Sequence, residues 1–133
     1  MRACYLDASA LVKLATPEAE TDALRAALDP FDARVTNRLA AVEVARALLR
    51  RGVASAALAT EVSEVLLRLA TIELDPAIAE SASRMRPPGL RSLDAIHLAS
   101  ALALGAELEV LVTYDGRLAD AARAAGLEVV APA

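Results

Sequence analysis

Short apolar segments alternate with longer helix-like segments along the chain, and this alternation constrains the fold more than any other feature of the sequence. Apolar runs bounded by polar residues predict strands at 3–6, 34–36, 72–74, 108–113 and 127–131. Apolar residues at helical spacing predict helices at 9–15, 17–29, 37–51, 55–70, 76–85, 92–106 and 116–125. Strands that alternate with helices favour an α/β fold, in which a parallel sheet is covered by helices on both faces.

Proline and capping residues predict where several helices begin. Pro17 suits the first position of the second helix. Asp75 followed by Pro76 is typical of an N-cap and a first helical residue. Ser92 is expected to cap a helix that is apolar on nearly every face and should therefore be central and buried. Because no linker or repeat divides the chain, we expect one domain over 1–133.

The composition excludes several classes of protein. The chain has 133 residues, 56% of them hydrophobic, and can bury enough apolar surface to fold. Aromatic residues make up 2% and the net charge is −4, so any nucleic-acid binding needs a local basic patch rather than aromatic platforms. The single cysteine, Cys4, excludes an internal disulfide and a multi-cysteine zinc site, and its apolar surroundings predict a core position. Asp7 and Lys13 interrupt any signal-peptide core and no apolar run is long enough for a membrane span, so we expect a cytoplasmic protein without membrane contact.

Four acidic residues stand where a carboxylate needs an explanation: Asp7, Glu43, Asp94 and Asp115. Asp7 and Asp115 each follow a predicted strand, and the carboxyl ends of parallel strands form the ligand crevice of such sheets. Asp94 lies in the first turn of the apolar helix, and Glu43 lies in an apolar stretch. If the four converge, raised pKa values, arginines or cations must offset their repulsion. All-oxygen ligands select hard ions such as Mg²⁺ or Mn²⁺, which promote phosphodiester hydrolysis.

Structural roles would also explain these acids. Asp7 and Asp115 suit N-caps, and the helix dipole favours an aspartate at position 94. Glu43 has no capping role, but it could face water beside Arg46. The residues alone leave the structural and the chemical explanations open.

Four stretches, taken in chain order, resemble a known family. They are YLDASALVKL, AAVEVARALL, LRSLDAIHLASALALGA and LVTYDGRLADAARAAGLEVV. Together they are similar to the PIN-domain ribonucleases, and specifically to the VapC-type toxins of bacterial toxin–antitoxin pairs. The most specific part is LRSLDAIHLASA, and the resemblance spans nearly the whole chain.

The resemblance implies a single PIN domain over 1–133, built as a three-layer α/β/α sandwich with a central, mainly parallel sheet. It implies a metal-dependent endoribonuclease that uses Mg²⁺ or Mn²⁺, a cognate antitoxin that neutralises it, and a homodimer that forms a heterotetramer or larger assembly with the antitoxin. The catalytic and metal-binding acids of the family fall on Asp7, Glu43, Asp94 and Asp115. Its supporting hydroxyls fall on Ser9 and Thr113. Thr36 and Asn37 precede the second acid, where family members often carry Ser or Thr.

The mechanism expected for this family is hydrolysis by a metal-activated water, which leaves 5′-phosphate and 3′-hydroxyl ends. Asp7, Glu43 and Asp94 would bind the main ion, and Asp115 would complete the site. His97, the only histidine, is expected to be structural because it lies on the buried helix.

Arginines close to the predicted ligands are the expected RNA contacts in this acidic protein. Arg91 and Arg117 neighbour Asp94 and Asp115 most closely. Further arginines that could contact phosphate are Arg46, Arg50, Arg51, Arg84 and Arg86. The Leu- and Ala-rich helices between residues 17 and 70 are expected to offer the antitoxin groove and the dimer surface.

Other functions of acidic α/β domains fit less well. A receiver domain needs a lysine after a late strand, and the only lysine is Lys13. A haloacid-dehalogenase-type phosphatase needs a second aspartate where this chain has Ser9. A non-catalytic PIN-like binding domain is the remaining alternative, and the presence of all four acids disfavours it.

Overall fold

The computed structural model describes residues 2–133, which form five strands and seven α-helices. The strands are β1 (Ala3–Leu6), β2 (Ala33–Asn37), β3 (Ala70–Ile72), β4 (Leu108–Val112) and β5 (Val129–Val130). The helices are α1 (Ala8–Ala15), α2 (Thr21–Leu28), α3 (Ala40–Arg50), α4 (Leu58–Leu66), α5 (Pro76–Ser83), α6 (Ser92–Ala103) and α7 (Gly116–Ala124). None of the helices in this part of the chain is long and apolar enough to cross a membrane.

All five strands run parallel in one sheet, in the order β3-β2-β1-β4-β5. The chain adds β2 and β3 on one side of β1 and then returns to place β4 and β5 on the other side, so the topology reverses between β1 and β4. Leu6 pairs with Val112, which brings the carboxyl ends of these two strands together. Parallel sheets bind ligands in the crevice at such a reversal. Asp7 and Thr113, which follow the two strands, therefore lie at that crevice.

Helices cover both faces of the sheet, as predicted. Successive residues of a strand point to opposite faces, so Leu6 packs into a core with α1, α2 and α3, and Tyr5 packs into a second core with α6 and α7. Six residues of α6 are buried, which confirms that this helix is central. Cys4 is fully buried, as expected for a core cysteine.

The second helix begins later than the proline predicts. α2 starts at Thr21, not at Pro17. The Thr21 hydroxyl accepts a hydrogen bond from the Glu18 amide (2.8 Å) and donates one to the Lys13 carbonyl (2.8 Å). These bonds hold the intervening residues as a turn against α1, so tertiary contacts override the local preference of the proline for a first helical position.

Other element ends also differ from their predictions. Asn37 ends β2 instead of opening α3, because it pairs with Ile72 of β3. The same pairing places β3 at 70–72 rather than 72–74 and ends α4 at Leu66. Ser92 is the first residue of α6 rather than its cap, and the cap position belongs to Arg91, whose side chain makes no capping bond. The cap at Asp75 is confirmed, since its carboxylate accepts the Ile78 amide at 2.8 Å.

Candidate functional site

Asp7 caps α1 and is held by three donors. Its Oδ1 accepts hydrogen bonds from the Ala10 amide (3.2 Å) and the Ser9 hydroxyl (2.7 Å), and its Oδ2 accepts one from the Thr113 hydroxyl (2.6 Å). Only 3% of the residue is exposed, and this burial raises its pKa, while the hydroxyls of Thr113 and Ser9 act in the opposite direction. A carboxylate is thus fixed in one orientation at the crevice between β1 and β4.

The two hydroxyls that bind Asp7 also anchor the chain after β4. Ser9 Oγ accepts the Tyr114 amide at 2.9 Å, and Thr113 Oγ1 accepts the Asp115 amide at 3.1 Å. The hydroxyl oxygens themselves lie 3.3 Å apart. Ser9 and Thr113 therefore couple the position of Asp7 to that of Asp115, and the structure places both predicted supporting hydroxyls against the first acid.

Asp115 caps α7 through one oxygen. Its Oδ1 accepts the amides of Arg117 (2.9 Å) and Leu118 (3.0 Å). The capping explanation for Asp115 is correct, as it is for Asp7. Since both capping bonds end on Oδ1, capping leaves Oδ2 available for another partner.

Asp94 lies half-buried in the first turn of α6. Burial is the main reason that its pKa is raised, and the negative charges of Asp115 and Asp7 raise it further. The nearby charges of His97 and Arg91 oppose this rise. The charges of Asp7 and Asp115 therefore act on Asp94, so these three of the four predicted acids influence one another electrostatically.

Glu43 turns inward from the first turn of α3 toward α6. Its Oε1 lies 2.6 Å from Nε2 of His97, and its side chain is 21% exposed. Nδ1 of His97 lies 2.7 Å from the Tyr5 hydroxyl. The alternative in which Glu43 faces water beside Arg46 is therefore wrong. Sequence reasoning missed this partner, although the spacing of Asp94 and His97 puts both on one face of α6.

The donor set suits a hard cation in its chemistry, since it consists of carboxylate oxygens that repel one another. In residues 2–133, however, no group of three or more His, Cys, Asp or Glu side chains is arranged so that it could hold a metal ion. Both oxygens of Asp7 meet hydrogen-bond donors, and Oε1 of Glu43 meets His97. Shared binding of a cation therefore requires the carboxylates to lie closer together than they do in this arrangement.

Two exposed arginines flank the aspartates. Arg91 precedes α6 and opposes the pKa rise of Asp94, and Arg117 lies in the first turn of α7. Arg117 and Arg86 line a cleft of about 700 Å³ between α7 and the loop 86–90. Asp120 also lines this cleft, so its walls carry charges of both signs.

Two arginines considered from sequence are engaged elsewhere. Arg51 forms an ion pair with Glu18 (3.2 Å), and Arg84 forms one with Glu80 (3.0 Å). These contacts occupy their guanidinium groups at the protein surface. Arg51 and Arg84 are therefore weaker candidates for RNA contacts than Arg91 and Arg117.

Comparison with known sequences identifies relatives over the whole length of the chain. The family model for the PIN domain matches residues 4–124. Ribonuclease VapC46 of Mycobacterium tuberculosis is 45% identical over 132 residues, covering 99% of each chain. Ribonuclease VapC35 of the same species is 48% identical over 132 residues, covering 96% of each chain.

Solved structures with the same fold are more distant in sequence. The crystal structure of Mycobacterium tuberculosis VapC20, a toxin that cleaves the sarcin–ricin loop, superposes with a TM-score of 0.74 at 18% identity, covering 97% of this chain and 99% of that one. VapBC2 from Rickettsia felis, bound to a DNA fragment from its promoter, gives a TM-score of 0.72 at 14% identity, covering 96% of this chain and 97% of that one. Both confirm the predicted three-layer α/β/α fold.

Proposed function

The chain belongs to the PIN-domain family, and on this premise we propose that it is a VapC-type endoribonuclease toxin whose active site comprises Asp7, Glu43, Asp94 and Asp115. The observation that carries the proposal is geometric: the Thr113 hydroxyl binds both the Asp7 carboxylate and the Asp115 amide at the carboxyl ends of β1 and β4. The charges of these two aspartates also act on Asp94. An aspartate that only caps a helix does not need two further carboxylates nearby. Three neighbouring carboxylates repel one another, which lowers the stability of the fold unless a positive charge offsets the repulsion.

The proposed cofactor is Mg²⁺ or Mn²⁺, held by Asp7, Glu43 and Asp94, with Asp115 completing the site. When bound, such an ion supplies the positive charge that activates water and stabilises the leaving oxygen in phosphodiester hydrolysis. The protein contributes orientation. The hydroxyls against Asp7 keep both of its oxygens in place, and the caps on α1 and α7 fix the backbone from which two of the acids project. The expected products carry 5′-phosphate and 3′-hydroxyl ends.

The substrate we propose is RNA, bound by Arg91 and Arg117 on the rim of the acidic crevice. Both side chains are exposed. Arg91 directly precedes α6, which carries Asp94, and Arg117 lies in the first turn of α7, which Asp115 caps. Phosphates on either side of the cleaved bond would thus meet positive charge while the scissile phosphate meets the cation site.

The partners we propose are a cognate antitoxin and a second copy of the chain. A cavity of about 490 Å³ lies between α1, α2 and α4 and is lined by Leu14, Leu28 and Val65 among others. It belongs to the region expected to receive the antitoxin. A homodimer predicts a mass of roughly twice 13.8 kDa by light scattering, whereas a monomer mass would contradict it.

The proposed function is tested by comparing wild type with Asp7→Asn in a bacterial host and sequencing the RNA 5′ ends. Wild type should arrest growth and create new 5′-phosphate ends, and Asp7→Asn should do neither. Asp75→Asn is the matched control, because Asp75 caps α5 through a bond like that of Asp7 but lies outside the crevice. With purified protein, a chelator should abolish cleavage and added Mn²⁺ or Mg²⁺ should restore it.

Equal growth arrest by wild type and Asp7→Asn would overturn the enzymatic proposal. It would favour the alternative function, a non-catalytic PIN-like domain that acts only by binding its partners. Chelator-resistant cleavage or 2′,3′-cyclic phosphate ends would instead contradict the metal-dependent mechanism.

A further inference from the structure

A hydrogen-bonded chain of three side chains runs from the second core to the partly exposed carboxylate of Glu43. The Tyr5 hydroxyl lies 2.7 Å from Nδ1 of His97, and Nε2 of His97 lies 2.6 Å from Oε1 of Glu43. Tyr5 is fully buried and His97 is 2% exposed. The chain of contacts connects β1, which ends directly before Asp7, with α6, which carries Asp94, and with α3, which carries Glu43.

The direction of these hydrogen bonds follows from the chemistry of the end groups. Burial raises the pKa of the Tyr5 hydroxyl, which therefore keeps its proton and can donate it to Nδ1. An ionised carboxylate only accepts hydrogen bonds, so the contact with Glu43 assigns the donor role to Nε2. Nδ1 is then the nitrogen that accepts from the Tyr5 hydroxyl, and both contacts fit the same tautomer.

We propose that His97 and Tyr5 are positioning residues that fix the Glu43 carboxylate for the cation, with His97 binding Oε1 so that Oε2 is presented to the ion. This inference rests on the proposed function and adds two residues to its site. Outer partners of this kind orient metal-binding carboxylates and commonly change metal affinity 10–100-fold when removed.

Two other roles for His97 do not fit its contacts. A metal ligand needs a free ring nitrogen, and both nitrogens of His97 have partners. A general acid or base must reach the substrate, and His97 is enclosed behind Glu43 with almost no exposed surface. A histidine that only fills the core would not need to bind a partly exposed carboxylate. Positioning of Glu43 is the role that uses both bonds.

The tautomer can be measured directly, because His97 is the only histidine of the chain. A long-range ¹⁵N–¹H spectrum of the tag-free protein at neutral pH should show one imidazole, protonated at Nε2 and bare at Nδ1. In Tyr5→Phe this preference should weaken, since the donor to Nδ1 is lost while the ring remains. Protonation at Nδ1 alone in the wild type would overturn the assignment, because Nε2 could then not donate to Glu43.

The effect on the cation site is measured as the Kd for Mn²⁺ by calorimetry. His97→Leu should weaken binding by about 10–100-fold, and Tyr5→Phe should weaken it by a smaller factor. His97→Gln should recover most of the affinity, because the glutamine amide can still donate to Glu43. In the His97→Leu background, Tyr5→Phe should have no further effect, since the tyrosine acts through the imidazole.

Leu24→Ala is the control for general destabilisation, because Leu24 is fully buried in α2 away from the crevice. It should lower the melting temperature without changing the Kd for Mn²⁺. Equal affinity in wild type and His97→Leu would overturn the positioning role alone. A wild-type protein that neither binds Mn²⁺ nor cleaves RNA would overturn the proposed function, and the positioning role with it.

Discussion

Single residues at the crevice combine a role in folding with a proposed chemical role. Asp7 and Asp115 are both N-caps, and the charges of both act on Asp94. From sequence, capping and chemistry are competing explanations for each aspartate. The structure shows that a cap at the carboxyl end of a central parallel strand is also a carboxylate at the ligand crevice, so one side chain can satisfy both requirements.

Thr113→Val tests how strongly the Asp7 carboxylate depends on its hydroxyl partners. The substitution conserves shape but removes the donor to Asp7 and the acceptor of the Asp115 amide. Burial raises the pKa of Asp7, and the hydrogen bond from Thr113 lowers it. Loss of that bond should therefore raise the pKa of Asp7 further. We expect RNA cleavage to fall by roughly 10-fold or more, as for outer partners of metal ligands.

Thr21→Val is the matched control for that variant. Thr21 is also buried and also donates one hydrogen bond and accepts another, but it lies at the start of α2. Both variants should lose about 1–3 kcal/mol of unfolding free energy, since each leaves a buried polar group without its partner. Only Thr113→Val should lose cleavage. A similar loss in Thr21→Val would show that reduced stability, not the hydrogen bond to Asp7, explains the result.

Asp94→Asn should stabilise the metal-free protein at neutral pH. The pKa of Asp94 is raised in the folded state, so the folded protein binds more protons than the unfolded chain above the ordinary value of 3.8. Stability contributed by protonated Asp94 is therefore lost as the pH rises through the raised pKa. Removing the charge should gain about 0.2–1 kcal/mol at pH 7, because Asp94 is partly exposed.

Urea denaturation after removal of divalent ions, at pH 7 and below the ordinary pKa of Asp94, measures this gain. The gain should vanish at the lower pH, where wild-type Asp94 is protonated in both states. Asp22→Asn is the control, because Asp22 also lies in a first helical turn but is exposed and faces no acidic cluster. It should give no gain at pH 7. A gain that persists at low pH would exclude charge repulsion as its cause.

The helices differ greatly in how firmly the fold holds them. α6 buries six residues between the sheet and its neighbouring helices, whereas α4 contains no fully buried residue and Leu67 after it is 81% exposed. Stability against local opening follows buried apolar contact. The helix that carries Asp94 and His97 is thus the most firmly held, and the helix beside the proposed antitoxin cavity is the most weakly held.

Hydrogen exchange followed by mass spectrometry should reproduce this order. Amides of β1, β4 and α6 should exchange slowest, and amides of α4 should exchange fastest among the α-helices. Peptides from α5, which is also an outer helix but buries Ile78, provide the internal comparison. If α4 exchanges as slowly as α6 in the isolated chain, an assembly that covers α4, such as a dimer, must already be present.

The elements themselves were predictable because their patterns are local. Each predicted strand and helix exists, and Asp75 caps α5 as expected. The errors lie where contacts between residues far apart in the sequence determine where an element begins or ends. Pro17 does not begin α2 because Thr21 bonds back to the Lys13 carbonyl, and pairing with Asn37 of β2 shifts β3 toward the N-terminus.

The candidate site was predictable to the same extent. An acid that directly follows a predicted strand is expected at the ligand crevice of a parallel sheet. The positions of Asp7 and Asp115 could therefore be predicted from the alternation of strands and helices. The bond between His97 and Glu43 joins two helices through residues 54 positions apart, and no local pattern reports it. The same applies to the hydroxyl of Tyr5, whose partner is known only once α6 packs on β1.

The whole molecule presents an electrostatic problem, because an acidic protein must bind an RNA polyanion. Its 14 basic and 18 acidic residues give a net charge of −4, so long-range attraction cannot supply the affinity. Arg2, Arg38 and Arg51 form ion pairs with glutamates. The proposed RNA contacts must therefore be local, and Arg91 and Arg117 are the proposed ones because they lie close to Asp94 and Asp115 in the sequence.

Arg91→Gln and Arg117→Gln should each flatten the salt dependence of RNA binding. Binding is measured in the Asp7→Asn background, which is expected to bind RNA without cleaving it. The measured quantity is the slope of log Kobs against log salt concentration. Its magnitude should decrease by about 0.7 for each phosphate of a single-stranded RNA that the variant no longer neutralises. Arg123→Gln is the matched control, because Arg123 lies on the same helix as Arg117 but faces Asp120 at 3.8 Å, toward the far end of α7. Its slope should equal that of the parent. An unchanged slope in Arg117→Gln would exclude that arginine as a phosphate-binding residue, and a reduced slope in Arg123→Gln would place the RNA along α7 rather than at the crevice.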